Sequence, residues 1–131
     1  MIGLDTNVWA RAILDDDLKQ SRAARTTIQR AASGTGIFVP LLVFVELGWV
    51  LGGAPGWNAS RVHHALERLL NTAGVEVEAA SILREALARR TGSVGLADNL
   101  IALVSQNRGC SQLLTFDTRF ARSGKAVLLK A

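Results

Sequence analysis

The chain has a single cysteine, Cys110, in 131 residues. An intrachain disulfide is therefore impossible, which excludes the small disulfide-stapled secreted scaffolds and suits a reducing cytoplasm. A secretory leader is missing as well: Met1 runs straight into Ile-Gly-Leu-Asp without a basic stretch, so a cytoplasmic location is expected. Long apolar runs are lacking too. The longest, from Ile37 to Leu51, is interrupted by Pro40, Glu46 and Gly48. It is too short for a bilayer span and reads as a buried strand followed by a helix, so no membrane partner is expected. Internal repeats and low-complexity tracts are absent.

What is present is basic. The net charge is +4 with a pI near 10.2, and twelve of the fifteen cations are arginine. The planar, multi-donor guanidinium suits phosphate, so this bias is compatible with a nucleic-acid partner without requiring one. The length fits one domain over residues 1–131, large enough to bury a core without disulfides.

Short β-branched runs alternate with helical patterns. Met-Ile-Gly-Leu-Asp reads as a buried strand, Thr6 to Leu14 as a helix, Asp15 to Asp17 as a turn, and Ser21 to Ala32 as a second helix. Ile37 to Val39 reads as a strand, with Pro40 opening the helix that runs to Leu51. Gly-Gly-Ala-Pro-Gly-Trp-Asn is loop-rich and too short for a domain linker. Ser60 is placed as the N-cap of a helix through Val62, Leu66 and Leu69, and Val75 to Val77 as a strand. A helix through Ile82 and Leu87 ends at Thr91-Gly92, and another spans Leu96 to Arg108. Leu113 to Thr115 and Val127 to Leu129 complete the strands. Such alternation predicts an α/β fold with a parallel sheet, and in such sheets chemistry gathers at the carboxyl ends of the strands.

Four carboxylates fall where that rule directs attention. Asp5 ends the first strand, and Asp117 follows Leu-Leu-Thr-Phe. Asp98 occupies the first turn of its helix, where the helix dipole favours an anion. Glu46 is the only charge between Gly36 and Arg61, and a carboxylate on so apolar a helix needs a partner. Gathered carboxylates repel unless a cation sits among them, and hard oxygen donors suit Mg²⁺ or Mn²⁺ rather than zinc. Each acid also has a plain structural reading: Asp5 as a helix cap, Glu46 as an arginine partner, Asp98 as a first-turn acid, Asp117 as the start of a turn.

With these residues in view, Leu-Asp-Thr-Asn-Val at the start, Val-Glu-Leu-Gly-Trp-Val-Leu, Ala-Asp-Asn-Leu-Ile-Ala and Leu-Leu-Thr-Phe-Asp-Thr-Arg-Phe resemble the PIN-domain toxins of VapC type, in order and spacing over the whole chain. The resemblance implies a three-layer α/β/α domain around a small parallel sheet. It implies that Asp5, Glu46, Asp98 and Asp117 bind Mg²⁺ or Mn²⁺ and cut RNA, with Thr6, Asn7 and Thr115 as supporting residues. It also implies a homodimer held inactive by a VapB-type antitoxin. Relatives often carry an accessory acid where this chain has Gly95, which bears on a second metal site, and alanine where it has Asn99. Alternatives within the same fold are an RNA-processing nuclease without a toxin role and a non-cleaving scaffold that binds RNA or protein.

Other residues have weaker claims. His63 and His64 are adjacent on a helix and point apart, so they cannot share a metal. Cys110 lacks a nearby activating cation. Trp49 and Trp57 read as core or dimer contacts, whereas Trp9 lies one turn beyond Asp5. Arg22, Arg25 and Arg30 share one broad half of the second helix, as a solvated face or an RNA-backbone contact. Arg119 and Arg122 follow Asp117, where they could steady a phosphate or balance the acids. A haloacid-dehalogenase-like phosphatase would need an acid at position 7, where Asn7 stands, and a receiver would need an acidic pair near the start.

Overall fold

The structure, a computed structural model, describes residues 1–89 and 95–131. The expected helix end at Thr91-Gly92 lies outside the described residues. Two compact units are distinguished, Met1–Ala80 and Ser81–Ala131.

In the first unit, β1 (Ile2–Gly3), β2 (Ile37–Val39) and β3 (Val75–Val77) form a parallel sheet in the order β1-β2-β3. Ile2 pairs with Ile37, and Phe38 with Glu76. Two helices link each consecutive pair: α1 (Thr6–Leu14) and α2 (Leu18–Ala32), then α3 (Leu41–Gly52) and α4 (Ala59–Leu70). Because the strands are parallel, Asp5, Pro40 and Glu78 all follow carboxyl ends on one edge of this sheet. The core is built from Ile37, Val39, Phe44, Leu47, Leu51, Leu66 and Val77, all buried. Burying each such side chain contributes about 1.5–3 kcal/mol.

Several boundaries differ from expectation for identifiable reasons. The first strand is not buried: Ile2 is 38% exposed, and β1 is an outer member of the sheet order. α2 starts at Leu18 instead of Ser21 because the Asp17 carboxylate accepts the Gln20 amide at 3.0 Å. Asp15 takes a left-handed conformation (φ 56°) and closes α1, so the acid turn caps both helices. Pro40 is the N-cap of α3 and lies outside the helix. A proline there offers no side-chain acceptor, and Glu78 from beyond β3 supplies one, its Oε1 accepting the Leu41 amide at 2.8 Å. Asn58, not Ser60, caps α4 by accepting the Arg61 amide at 2.8 Å. At Gly74 (φ +80°) the backbone runs against the end of α2: an added Cβ would lie 2.7 Å from the Ala32 carbonyl carbon and closer still to its oxygen.

In the second unit, α5 (Ala80–Ala88) begins at the boundary and α6 (Leu96–Asn107) follows. Two parallel strands, β4 (Leu114–Thr115) and β5 (Val127–Leu128), are joined through α7 (Thr118–Arg122), a short helix that the sequence pattern did not reveal. Phe120 and Ala126 are buried together against Ala102 and Leu113. The α/β expectation holds, with parallel strands linked by helices, in a sheet of three and a pair.

A buried amide ties this unit together. Asn99 is 2% exposed, its Nδ2 donates to the Ala86 carbonyl at 3.3 Å, and its Oδ1 accepts from Lys125 Nζ. Lys125 also donates to the Arg89 carbonyl at 3.2 Å. Asn99→Ala would leave these groups short of partners and is expected to cost about 1–3 kcal/mol. A urea unfolding midpoint equal to that of the parent chain would show that the amide is dispensable.

Candidate active site

The first unit brings two of the expected acids onto one residue. Asp5 is the N-cap of α1, and its Oδ1 accepts the Thr6 amide at 2.7 Å. Starting the helix there turns the Thr6 side chain inward, where it is 8% exposed. The Thr6 hydroxyl donates to Glu46 Oε1 on α3 at 2.9 Å. Asp5 and Glu46, forty-one positions apart in the chain, are thus both bonded to Thr6, one through its backbone and one through its side chain. Among the described residues, the second oxygen of each carboxylate has no hydrogen-bond partner.

The surroundings of Glu46 correct one expectation. α3 is apolar on every side and buries Val43, Phe44, Leu47 and Leu51. Glu46 falls on the opposite face with Leu42, Trp49 and Val50, all exposed. The partner that an acid on this helix needs is Thr6, but the charge itself is not enclosed. Trp49, at 69% exposure, is no part of the core.

The other two acids belong to the second unit. Asp98 lies in the first turn of α6, whose N-cap Gly95 contributes no side-chain bond. Its carboxylate is half-buried and has no hydrogen-bond or ion-pair partner among the described residues. Asp117 caps α7, its Oδ1 accepting the Arg119 amide at 2.8 Å and the Phe120 amide at 3.3 Å. The Thr115 hydroxyl accepts the Asp117 amide at 3.0 Å and so fixes the backbone that carries the acid. Arg119 Nε lies 3.9 Å from Asp117 Oδ1, a long, exposed pair that balances the acid more than it binds it. Asn7 is exposed on α1 with no side-chain bond among the described residues.

The donor set fits a hard divalent cation. Within the first unit, the Asp5 and Glu46 carboxylates offer the hard oxygen donors such an ion takes, each with one oxygen lacking a hydrogen-bond partner among the described residues. Among the described residues, no three His, Cys, Asp or Glu side chains are gathered in metal-holding geometry, so the structure itself joins only Asp5 and Glu46. His63 pairs instead with Glu67 at 3.3 Å. Trp57 carries the Arg61 guanidinium 4.1 Å from its ring centre, and Trp9 is buried in α1. Sequence reasoning missed Glu78 and Lys125. Both act through backbone carbonyls and amides far away in the chain, which no local pattern announces.

The family model for the PIN domain matches residues 2–126 of this chain, a span that contains all four acids. The chain is also similar to a VapC ribonuclease from Aquifex aeolicus (strain VF5), at 25% identity over 124 residues, covering 92% of this chain and 90% of that protein.

Proposed function

This chain belongs to the PIN domain family, and we propose that it is a divalent-metal-dependent endoribonuclease, the toxin of a VapBC-type pair. The observation that carries the reading is the Asp5–Thr6–Glu46 arrangement, in which one threonine orients two carboxylates and leaves an oxygen of each free. Similarity to a VapC ribonuclease over nearly the full length supports it.

In this reading Asp5, Glu46, Asp98 and Asp117 hold Mg²⁺ or Mn²⁺. The bound cation supplies Lewis-acid charge for phosphodiester hydrolysis. The protein's own part is positioning. Thr6 fixes the rotamer of Glu46 through its hydroxyl and the direction of Asp5 through its amide. Thr115 does the same for Asp117 by holding its backbone, and Arg119 offers a cation to a phosphate oxygen. Water attacks phosphorus, the bond to the leaving oxygen breaks, and that oxygen takes a proton, so no side-chain nucleophile is needed. Exposed Leu42 and Trp49 on α3 support pairing of two copies, and a VapB-type antitoxin is the expected inhibitor. Among the described residues no helix is long and apolar enough to cross a membrane, and the lone Cys110 suits the cytoplasm.

The test is RNA cleavage by the purified chain with Mn²⁺, with Mg²⁺, and with chelator. Cleavage is expected with either metal and none with chelator. Millimolar Mn²⁺ should also raise the melting temperature, because it binds only the folded state, and Asp98→Asn should shrink that rise. Cleavage that persists in chelator, or a melt indifferent to Mn²⁺, would overturn the metal assignment.

A further inference from the structure

We propose that the outward face of α2 is a track for the RNA backbone, separate from the acids. This deepens the ribonuclease reading and rests on it. α2 carries Lys19, Arg22, Arg25 and Arg30 and no acid at all along its fifteen residues. The acids just before it are already engaged. Asp16 pairs with Arg11 at 2.9 Å, Asp15 with Arg25 at 3.5 Å, and Asp17 caps the helix. Arg25 is further tied back by its Nε to the Ala12 carbonyl at 2.9 Å, which removes it from the arginine trio that the sequence suggested.

Lys19, Arg22 and Arg30 remain. All are exposed, and none has an ion-pair partner among the described residues. Lys19, Arg22, Thr26 and Arg30 follow one another at helical spacing, so they form one stripe within about 80° of arc and about 16 Å long. The buried residues of the helix, Ser21 and Ala24, lie on the other side. Beside the first half of the stripe lies a shallow, open and mostly apolar hollow lined by Leu18, Lys19, Arg22, Ala23, Thr26 and Thr27, and Arg30 lies beyond it. On the stripe itself, Lys19, Arg22 and Arg30 with the Thr26 hydroxyl, all exposed and in a line, match what phosphate binding requires and lack the aromatic anchors of a protein interface. The face positions RNA without reading its sequence.

The experiment measures binding of a labelled poly-uridylate oligonucleotide in chelator, so that nothing is cut, across a series of salt concentrations. Wild type is compared with the triple variant Lys19→Gln, Arg22→Gln, Arg30→Gln. Removing one cation from a phosphate should lower the slope of log affinity against log salt by about 0.7, so the slope of the triple variant should be shallower by about 2. Its affinity at 0.1 M salt should fall on the order of 10- to 100-fold. The charge-keeping triple Lys19→Arg, Arg22→Lys, Arg30→Lys should retain the slope, and Arg25→Gln should barely change it. An unchanged slope in the glutamine triple, an equal drop in the charge-keeping triple, or no binding by wild type at low salt overturns the proposal. So does loss of binding to poly-glutamate with RNA binding intact, which would make the face a dock for acidic protein. The Mn²⁺ cleavage assay on the same wild-type protein reports separately on the ribonuclease reading, so the two can fail independently.

Discussion

Asp5→Asn is expected to reduce RNA cleavage by a factor on the order of 10² to 10³ while leaving the fold as stable as before. Asparagine has nearly the same volume and keeps an oxygen able to accept the Thr6 amide at the start of α1. Asparagine and aspartate rank almost equally as N-caps, so the change in unfolding free energy should stay within about 0.5 kcal/mol. What disappears is the charge on the oxygen that has no hydrogen-bond partner among the described residues. This separation of cap from charge is possible because the two functions of Asp5 use different properties of one side chain. Turnover should be measured at saturating Mg²⁺ beside a urea melt of the same preparation. Near-normal turnover would reduce Asp5 to a helix cap and remove it from the site.

Glu46→Gln should behave in the same divided way, with cleavage falling by about two orders of magnitude or more. Its effect on stability follows from its place on α3. Were the carboxylate enclosed among apolar side chains, removing its charge would stabilise the metal-free protein. It lies on the exposed face instead, so the metal-free melting temperature should stay level. The glutamine carbonyl still accepts from the Thr6 hydroxyl, which preserves the link between α1 and α3. Melting in chelator and cleavage in Mn²⁺, on one batch, give the two readings. A drop of several degrees in chelator would assign Glu46 a structural role through Thr6. Because Thr6 holds both acids, the Asp5→Asn, Glu46→Gln double variant should lose less than the sum of the two single effects, as groups acting as a unit do.

Some of this was legible in the sequence and some was not, for physical reasons. The strands β2 and β3 and the body of each long helix follow from apolar periodicity alone. Starts were harder where two capping residues stand close together: Asn58 and Ser60 signal equally well, and only the bond to the Arg61 amide distinguishes them. The five residues of α7 are too few to show a period. α3 shows the deepest limit. A helix that is apolar all round carries no phase, so nothing in its pattern told which side Glu46 would take. Asp5 and Asp117 were visible as acids beside strand ends, and Glu46 and Asp98 as acids on helices, but the bond from Thr6 to Glu46 spans forty positions, and no local rule reaches that far. Lys125 and Glu78 were invisible for the same reason.

Gly74 carries a consequence of another kind. With its backbone laid against the Ala32 carbonyl at the end of α2 and its φ at +80°, it leaves no room for any side chain. Natural selection would hold this position fixed as firmly as it holds a metal ligand, yet for a reason that has nothing to do with chemistry. In a survey of tolerated variation, Gly74 would stand beside Asp5, and its silence there would be the signature of architecture. Drift would be left to exposed positions with no such packing demand, such as Gln29 on α2.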